Sequence, residues 1–221
     1  MPESKNYIPA LKYDWLTKVY DPVLQLTMPE RKFKSELINQ MNIKPNDRIL
    51  DFGCGSLTLS IMAAQVNPDT EFFGVDVDEK ILAIGGRKLA DTGLSIHIQQ
   101  YDGKTLPYQN NYFDRVMSSL VFHHLTLPQK YFALNEILRV LKPGGEFHIA
   151  DFGKPADGFQ RVGFYGVQLL DGFSTTNENV RNLLWQAINE VFSEAEETGY
   201  FRTLVGTVRL MKGKKTINTI L

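Results

Sequence analysis

The stretch "ILDFGCGSLTLS", residues 49–60, joins an apolar run and an aspartate to two glycines that stand at alternate positions. The run "RILDF" predicts a buried strand, and residues 58–66 predict the helix that follows it. Glycine between a strand and a helix lets the backbone approach a ligand closely, and the start of the helix offers unpaired amide groups. The stretch therefore predicts a site for an anion or a nucleoside.

Strands and helices alternate on the C-terminal side of this turn. The pattern predicts strands at residues 71–77, 95–102, 113–122 and 146–151, helices at 79–91 and 129–141, and a turn at "KPGG", residues 142–145. Short apolar strands separated by helices are typical of a parallel sheet that is covered on both faces. Two further strand-like runs, 195–204 and 206–213, are predicted to pair as an antiparallel edge of that sheet.

The composition of the chain limits its partners and its compartment. With 221 residues, of which 43% are hydrophobic, the chain is long enough for one well-buried domain. Lys and Arg total 24 against 25 Asp and Glu, so no surplus of positive charge recruits a nucleic acid. The single cysteine, Cys54, cannot form an intramolecular disulfide, and no stretch is long and apolar enough for a signal peptide or a membrane span. We expect a cytoplasmic protein without integral membrane association.

Aspartates stand at the carboxyl ends of three successive predicted strands, as Asp51, Asp76 and Asp102. A dinucleotide fingerprint requires a third glycine where Thr58 stands, so that pattern fails. Asp51 adds a negative charge that disfavours a pyrophosphate and favours a cationic ligand. Asp76 can accept the hydroxyls of a ribose, and Asp102 can accept an exocyclic amino group. Together they outline S-adenosylmethionine, with its amine and sulfonium, its ribose and its adenine.

At this point the chain resembles the class I S-adenosylmethionine-dependent methyltransferases, and within them the ubiquinone/menaquinone C-methyltransferase branch. The resemblance is carried by "VYDPVLQLTMPER", "ILDFGCGS", "GVDVDEKIL", "YDGKTLPYQNNYFDRVMSSLVFHHL" and "EILRVLKPGGEFHIADF". It implies an α/β fold: a Rossmann-like, seven-stranded, mostly parallel sheet with one antiparallel edge strand, helices on both faces and an N-terminal helical lid. Within a single domain, residues 1–44 would form the lid, 45–152 the cofactor-binding core, 153–192 the substrate-pocket helices and 193–221 the edge strands.

The resemblance also implies site residues and an activity. The cofactor-binding positions would be Tyr20, Asp51, Gly53, Cys54, Gly55, Asp76, Val77, Asp102, Gly103 and Ser119. The substrate pocket would take Tyr13, Phe159, Tyr165, Leu169 and Phe173. The expected reaction is methyl transfer from S-adenosylmethionine, with S-adenosylhomocysteine as product, to a small acceptor. The apolar, aromatic segment 159–173 favours a lipophilic or aromatic one. No metal is expected, and the chain is expected to be a monomer or a homodimer.

Two features leave the chemistry open. His123 and His124 follow the fourth predicted strand, where an imidazole could act as a general base or could only shape the pocket. Leu57 stands where related enzymes usually have a third glycine, and its side chain must either point away from the cofactor or crowd its methionine end. From the sequence we expect weaker or reshaped cofactor binding.

Other function classes remain as alternatives. A non-catalytic partner subunit could keep the same fold, and Leu57 is the observation that favours it. An NAD(P)-dependent oxidoreductase is disfavoured by the failed glycine pattern and by Asp51. Amino-methylating enzymes that act on nucleic acids or proteins usually carry an Asn- or Asp-Pro-Pro-aromatic stretch after the fourth strand, and here that place reads "SSLV".

Overall fold

The computed structural model describes residues 29–154, 182–203 and 206–217. Its helices are α1 (Glu30–Gln40), α2 (Thr58–Val66), α3 (Glu79–Ala90), α4 (Leu127–Val140) and α5 (Leu183–Val191), with a 3-10 turn at Phe122–His124. Its strands are β1 (Arg48–Phe52), β2 (Glu71–Asp76), β3 (Ile96–Gln100), β4 (Phe113–Ser119), β5 (Leu141–Phe152), β6 (Glu194–Thr203) and β7 (Gly206–Lys214).

The strands form a seven-stranded sheet in the order β3-β2-β1-β4-β5-β7-β6. Strands β1 to β5 pair in parallel, and β7 pairs antiparallel with both β5 and β6. The predicted fold class is therefore confirmed. The antiparallel strand lies one position in from the edge, because β6 adds outside it.

Helices cover both faces of the sheet. Phe33 of α1, Leu59 of α2 and Leu82 of α3 belong to one buried cluster, whereas Leu134 of α4 and Ile188 of α5 belong to the cluster on the opposite face. Helix α1 is thus part of the packed core. The rest of the predicted lid, residues 1–28, lies outside the described residues, and so does most of the predicted substrate-pocket segment 153–192.

The "KPGG" segment differs from its prediction as a turn. Strand β5 begins at Leu141, which pairs with Phe113, and the next pair along the strands joins Glu146 to Arg115. Residues 142–145 therefore form an irregularity inside the strand. Gly144, at φ 77°, donates its amide to the carbonyl of Lys215, so the segment is held against the chain that leaves β7.

Candidate active site

The predicted polar residues meet where the parallel strands end. Asp51 lies on β1, Asp76 ends β2 and Ser119 ends β4, and β1 lies between the other two strands. The chain continues outward in opposite directions from β1 and β4, which makes their carboxyl ends a topological switch point. Ligands of open α/β sheets bind in the crevice at such a point.

The glycine turn between β1 and α2 has a left-handed backbone at three positions: Gly53 at φ 70°, Gly55 at φ 51° and Leu57 at φ 62°. The amides of Gly53 and Cys54 donate to the carbonyl of Val75 at 2.9 and 3.0 Å, which ties the turn to the end of β2. Among the described residues, a Cβ added to Gly55 would meet only Ile81 Cγ1, at 4.0 Å. The described part of the chain therefore leaves open space over Gly55, as close approach of a ligand to the backbone requires.

Leu57 points away from this open space. Its side chain is 0% exposed and belongs to the core cluster under α1, α2 and α3. The residue precedes the first turn of α2 with φ 62° and ψ 19°, a conformation that costs a residue with a Cβ about 1–2 kcal/mol. Of the two orientations expected from the sequence, the structure has the one in which the side chain is directed into the core.

Asp76 connects the turn to the next loop through both of its carboxylate oxygens. Oδ2 accepts the amide of Gly55 at 2.9 Å, and Oδ1 accepts the amide of Asp78 at 3.0 Å. Each oxygen has a second lone pair, and the side chain is only half-buried. Asp76 can therefore accept ligand hydroxyls while it holds the turn.

Asp51 lies beneath the turn and is 1% exposed. Its Oδ2 accepts the hydroxyl of Ser60 at 2.5 Å. Burial raises the pKa of Asp51 to about 6, while the Ser60 hydrogen bond and the positive charge of Lys34 act in the opposite direction. Lys34 reaches in from α1, where its ammonium pairs with Glu30 Oε1 at 2.5 Å. At pH 7 Asp51 is mainly a carboxylate, which suits an ammonium or sulfonium ligand.

The other predicted cofactor positions occupy two environments. Cys54 is buried, and its Sγ would lie 2.9 Å from a Cβ on Gly74, so it fills a small space in the core. Val77 lies beside Gly103, where an added Cβ would meet its Cγ1 at 3.3 Å. Asp102 is exposed, and its Oδ1 accepts the amide of Lys104 at 2.9 Å.

Ser119, at the carboxyl end of β4, has a hydroxyl that no described residue satisfies. Its hydroxyl oxygen is buried and has no hydrogen-bond partner among the described residues. A buried hydroxyl in this state costs free energy unless a ligand or water satisfies it. Together with the open space over Gly55 and the spare acceptor capacity of Asp76, it fits a polar cofactor such as S-adenosylmethionine.

His123 is held by a carboxylate that the sequence analysis did not single out. His123 Nδ1 lies 2.8 Å from Asp151 Oδ1, and both side chains are buried. Asp151 Oδ2 accepts the amides of Val121 and Phe122 at 3.0 and 2.7 Å, and its Oδ1 accepts that of Phe152 at 2.7 Å. Because amide donors surround the carboxylate, the Nδ1 of His123 carries the proton in this contact.

Burial alone would raise the pKa of Asp151, but His123 and the surrounding amides hold it below the ordinary value. Burial and the neighbouring His123 lower the pKa of His124 to about 3. The two imidazole rings lie 3.9 Å apart between centroids. His124 is therefore neutral at pH 7 and a weak base, and of the two histidines His123 has the ionised carboxylate partner.

Asp151, Ser60 and Lys34 were not predicted from the sequence. Asp151 could have been found, since it stands at the end of the predicted strand 146–151, as Asp51, Asp76 and Asp102 stand at the ends of the first three predicted strands. Ser60 and Lys34 carry no comparable signal, because only the packing of α1 and α2 brings them to Asp51. The predicted positions Tyr13, Tyr20, Phe159, Tyr165, Leu169 and Phe173 lie outside the described residues.

In the part of the chain that the structure describes, no three His, Cys, Asp or Glu side chains are grouped so that they could hold a metal ion. None of the described helices is long and apolar enough to cross a membrane.

Comparison with known proteins gives this geometry a context. The methyltransferase domain family matches residues 49–145. A demethylmenaquinone methyltransferase of Symbiobacterium thermophilum is 31% identical over a match that covers 97% of this chain and 95% of that protein. The ubiquinone/menaquinone biosynthesis C-methyltransferase UbiE of Ectopseudomonas mendocina is 34% identical over 152 residues, which cover 67% of this chain and 56% of that protein.

Solved structures share the fold at lower identity. The YcgJ protein of Bacillus subtilis superimposes with a TM-score of 0.66 at 16% identity, covering 83% of this chain and 97% of that one. A geranyl diphosphate methyltransferase, solved with GPP and sinefungin, gives a TM-score of 0.64 at 14% identity and covers 85% of this chain and 79% of that one. At these identities the likeness shows the fold alone.

Proposed function

The chain belongs to the class I S-adenosylmethionine-dependent methyltransferases of the ubiquinone/menaquinone C-methyltransferase branch, and from this membership we propose that it methylates a ring carbon of a small, lipophilic quinol. Its cofactor is S-adenosylmethionine, and its activity is methyl transfer. The relatives carry methyltransferase names, which favours this activity over the oxidoreductase alternative.

One observation carries the choice of acceptor. The likeness to the demethylmenaquinone methyltransferase extends over 97% of this chain and 95% of that protein, so it includes the segments on both sides of the cofactor-binding core. Those segments contain the predicted pocket residues Tyr13, Phe159, Tyr165, Leu169 and Phe173. Their apolar and aromatic character suits a lipophilic ring rather than a charged acceptor.

The cofactor would be held by the residues at the ends of the first four strands. Asp76 would take the ribose hydroxyls, Val77 would pack against the adenine, and Asp102 would accept the adenine amino group. Asp51, as a carboxylate, would favour the positively charged methionine portion. When bound, S-adenosylmethionine supplies a methyl group made electrophilic by its sulfonium.

The main contribution of the protein to the rate would be alignment. Placing an acceptor atom in line behind the methyl group can supply about 7 kcal/mol or more of the barrier. The turns after β1 and β4 are both tied by hydrogen bonds to the neighbouring strand, so they give the crevice fixed walls. Such preorganisation is the condition under which alignment accelerates a reaction.

Methylation at a ring carbon also requires that a proton leave the ring. His123 would accept that proton, directly or through water, with Asp151 fixing its tautomer and stabilising the imidazolium that forms. Asp151 suits this role because it is buried, ionised and within 2.8 Å of Nδ1. His124 would shape the pocket.

The test is an acceptor comparison with purified protein and S-adenosylmethionine. A short-chain demethylmenaquinol, the same compound in its oxidised form and a hydrophilic catechol are supplied separately. Mass spectrometry follows the methylated ring, and a coupled assay follows S-adenosylhomocysteine. We expect both products with the reduced quinol alone.

Asp76→Ala serves as the negative control, because it should abolish turnover without changing the acceptor pocket. Turnover of the hydrophilic acceptor in preference to the quinol would overturn the proposed substrate. Failure of every acceptor, despite measured cofactor binding, would return the non-catalytic alternative to consideration.

A further inference from the structure

We infer that Leu57 is a positioning residue for the cofactor: its side chain anchors the glycine turn in a notch between Gly74 of β2 and Gly85 of α3. The inference rests on the cofactor assignment within the proposed function and is independent of the acceptor. It differs from the expectation from sequence, in which a leucine at this position weakens or reshapes cofactor binding.

The notch fits the leucine side chain closely. A Cβ on Gly85 would lie 2.8 Å from Leu57 Cγ and 3.2 Å from its Cδ1. A Cβ on Gly74 would lie 3.3 Å from Leu57 Cδ2. Real Cβ atoms do not approach other atoms as closely as 2.8 Å, so Leu57 occupies the space that a side chain at position 85 would need. At position 74 the nearest atom to an added Cβ is Cys54 Sγ, at 2.9 Å, and Leu57 is the next side chain. Leu57 is 0% exposed in this notch.

The two glycines are explained by space rather than by backbone conformation. Gly85 lies inside α3 and Gly74 inside β2, and neither has the positive φ that favours glycine. Glycine weakens the interior of both kinds of element, so its presence there requires a reason. Leu57 approaches both glycines and Cys54 approaches Gly74, and these side chains supply that reason.

The anchored turn carries the groups that would contact the cofactor. Leu57 lies two residues after Gly55, and the amide of Gly55 donates to Asp76 at 2.9 Å. The amide of Leu57 donates to the carbonyl of Cys54 at 2.9 Å. The carbonyl of Leu57 accepts the amide of Ile61, which begins the hydrogen-bond ladder of α2. Fixing Leu57 therefore fixes Gly55, Asp76 and the start of α2 relative to one another. A third glycine would give this turn its backbone freedom without that anchor.

Isothermal titration with S-adenosylhomocysteine tests the anchor in Leu57→Ala and Leu57→Gly. We expect binding about tenfold weaker in both, because a loosened turn must be ordered again on binding. Leu134→Ala is the matched control: Leu134 is equally buried but lies on α4, across the sheet. It should lower the melting temperature while the Kd for S-adenosylhomocysteine stays within about twofold. Equal or tighter binding by Leu57→Gly would overturn the inference.

A double-mutant cycle tests the notch without any ligand. Gly85→Ala should lower the unfolding free energy of the parent protein, since the new Cβ meets Leu57. The same substitution should lower the unfolding free energy less in the Leu57→Ala variant. Additive effects on urea unfolding would contradict the anchor even if cofactor binding had changed. If the parent itself failed to bind S-adenosylhomocysteine, the cofactor assignment would fail, and the unfolding cycle would still report on the notch separately.

Discussion

The turns that follow β1 and β4 are built in the same way, but the aspartates that hold them differ in burial and in the number of hydrogen bonds they accept. Each contains a leucine in the left-handed region, Leu57 at φ 62° and Leu120 at φ 58°, and each donates backbone amides to an aspartate at the end of the neighbouring strand. After β1 the acceptor is Asp76, which is half-buried and takes one amide of the turn. After β4 it is Asp151, which is fully buried and takes two amides of the turn, a third from Phe152 and the imidazole N–H of His123.

The number of donors decides what each carboxylate can do. Asp76 accepts one amide on each oxygen and is half-buried, so it has acceptor capacity left for a ligand while it holds its turn. Asp151 has four donors on two oxygens inside the core, so its capacity is used within the protein. The first carboxylate is therefore expected to affect ligand affinity, and the second to affect stability and the orientation of His123.

The largest expected effect is that of Asp151→Ala on stability. Removing this carboxylate leaves the amides of Val121, Phe122 and Phe152 and the ring of His123 without their shared acceptor. Breaking a buried, hydrogen-bonded ion pair typically costs about 3–5 kcal/mol of unfolding free energy. Urea unfolding measures it. Asp151→Asn keeps one acceptor oxygen and should lose less, and a loss below about 1 kcal/mol for the alanine variant would contradict the structural role of Asp151.

Asp76→Ala should have the opposite effect to Asp151→Ala: a large loss of cofactor affinity and a small loss of stability. The affinity for S-adenosylhomocysteine should fall about a hundredfold, because buried ribose hydroxyls lose a charged acceptor. The unfolding free energy should fall by about 1 kcal/mol, since the lost contacts are half-exposed. Titration calorimetry and urea unfolding on one preparation give both values. Unchanged affinity with a large loss of stability would make the two turns equivalent and would remove the distinction between them.

Asp51 sharpens the comparison through pH. It is buried like Asp151, yet its pKa is raised to about 6 from 3.8, because burial outweighs the single hydroxyl of Ser60. The folded state therefore takes up a proton as pH falls through 6, whereas the unfolded state does so only near 3.8. This contribution to stability is full below pH 3.8 and is lost as pH rises through 6.

From pH 7 to pH 5 the parent should therefore gain about 1 kcal/mol relative to Asp51→Asn, in which position 51 does not titrate. Urea unfolding of both proteins at the two pH values measures this difference. Over the same interval the affinity of the parent for S-adenosylmethionine should fall, because the carboxylate that favours its positive charge becomes neutral. A stability difference that is constant with pH would show that Asp51 is ionised throughout.

The sequence predicted those features that each depend on a short stretch of chain. Helix α2 runs over Thr58–Val66 as predicted, and the glycine turn follows β1. The pattern could not show that the charge of Lys34 acts on Asp51, since the docking of α1 decides how near Lys34 lies. It could not decide the direction of Leu57 either, because the space for this side chain is made by glycines 17 and 28 residues further along the chain. Asp151 could have been predicted in the same way as Asp76, from its place at the carboxyl end of a predicted strand. That place does not show how many hydrogen bonds the carboxylate accepts.

The smallest expected effect concerns Ser119, which ends β4 directly before the second turn. Its hydroxyl has no partner among the described residues, so Ser119→Ala should change the unfolding free energy by less than about 0.5 kcal/mol. Its neighbour Ser118 is the matched control, because the Ser118 hydroxyl donates to the buried carbonyl of Phe52 at 2.9 Å. Loss of the Ser118 hydroxyl should lower the unfolding free energy by about 1 kcal/mol.

If the crevice at Ser119 belongs to the cofactor site, Ser119→Ala should weaken S-adenosylhomocysteine binding about threefold, and Ser118→Ala should not. Weakened binding by the Ser118 variant alone would mean that the end of β4 affects the cofactor through the core rather than by contact.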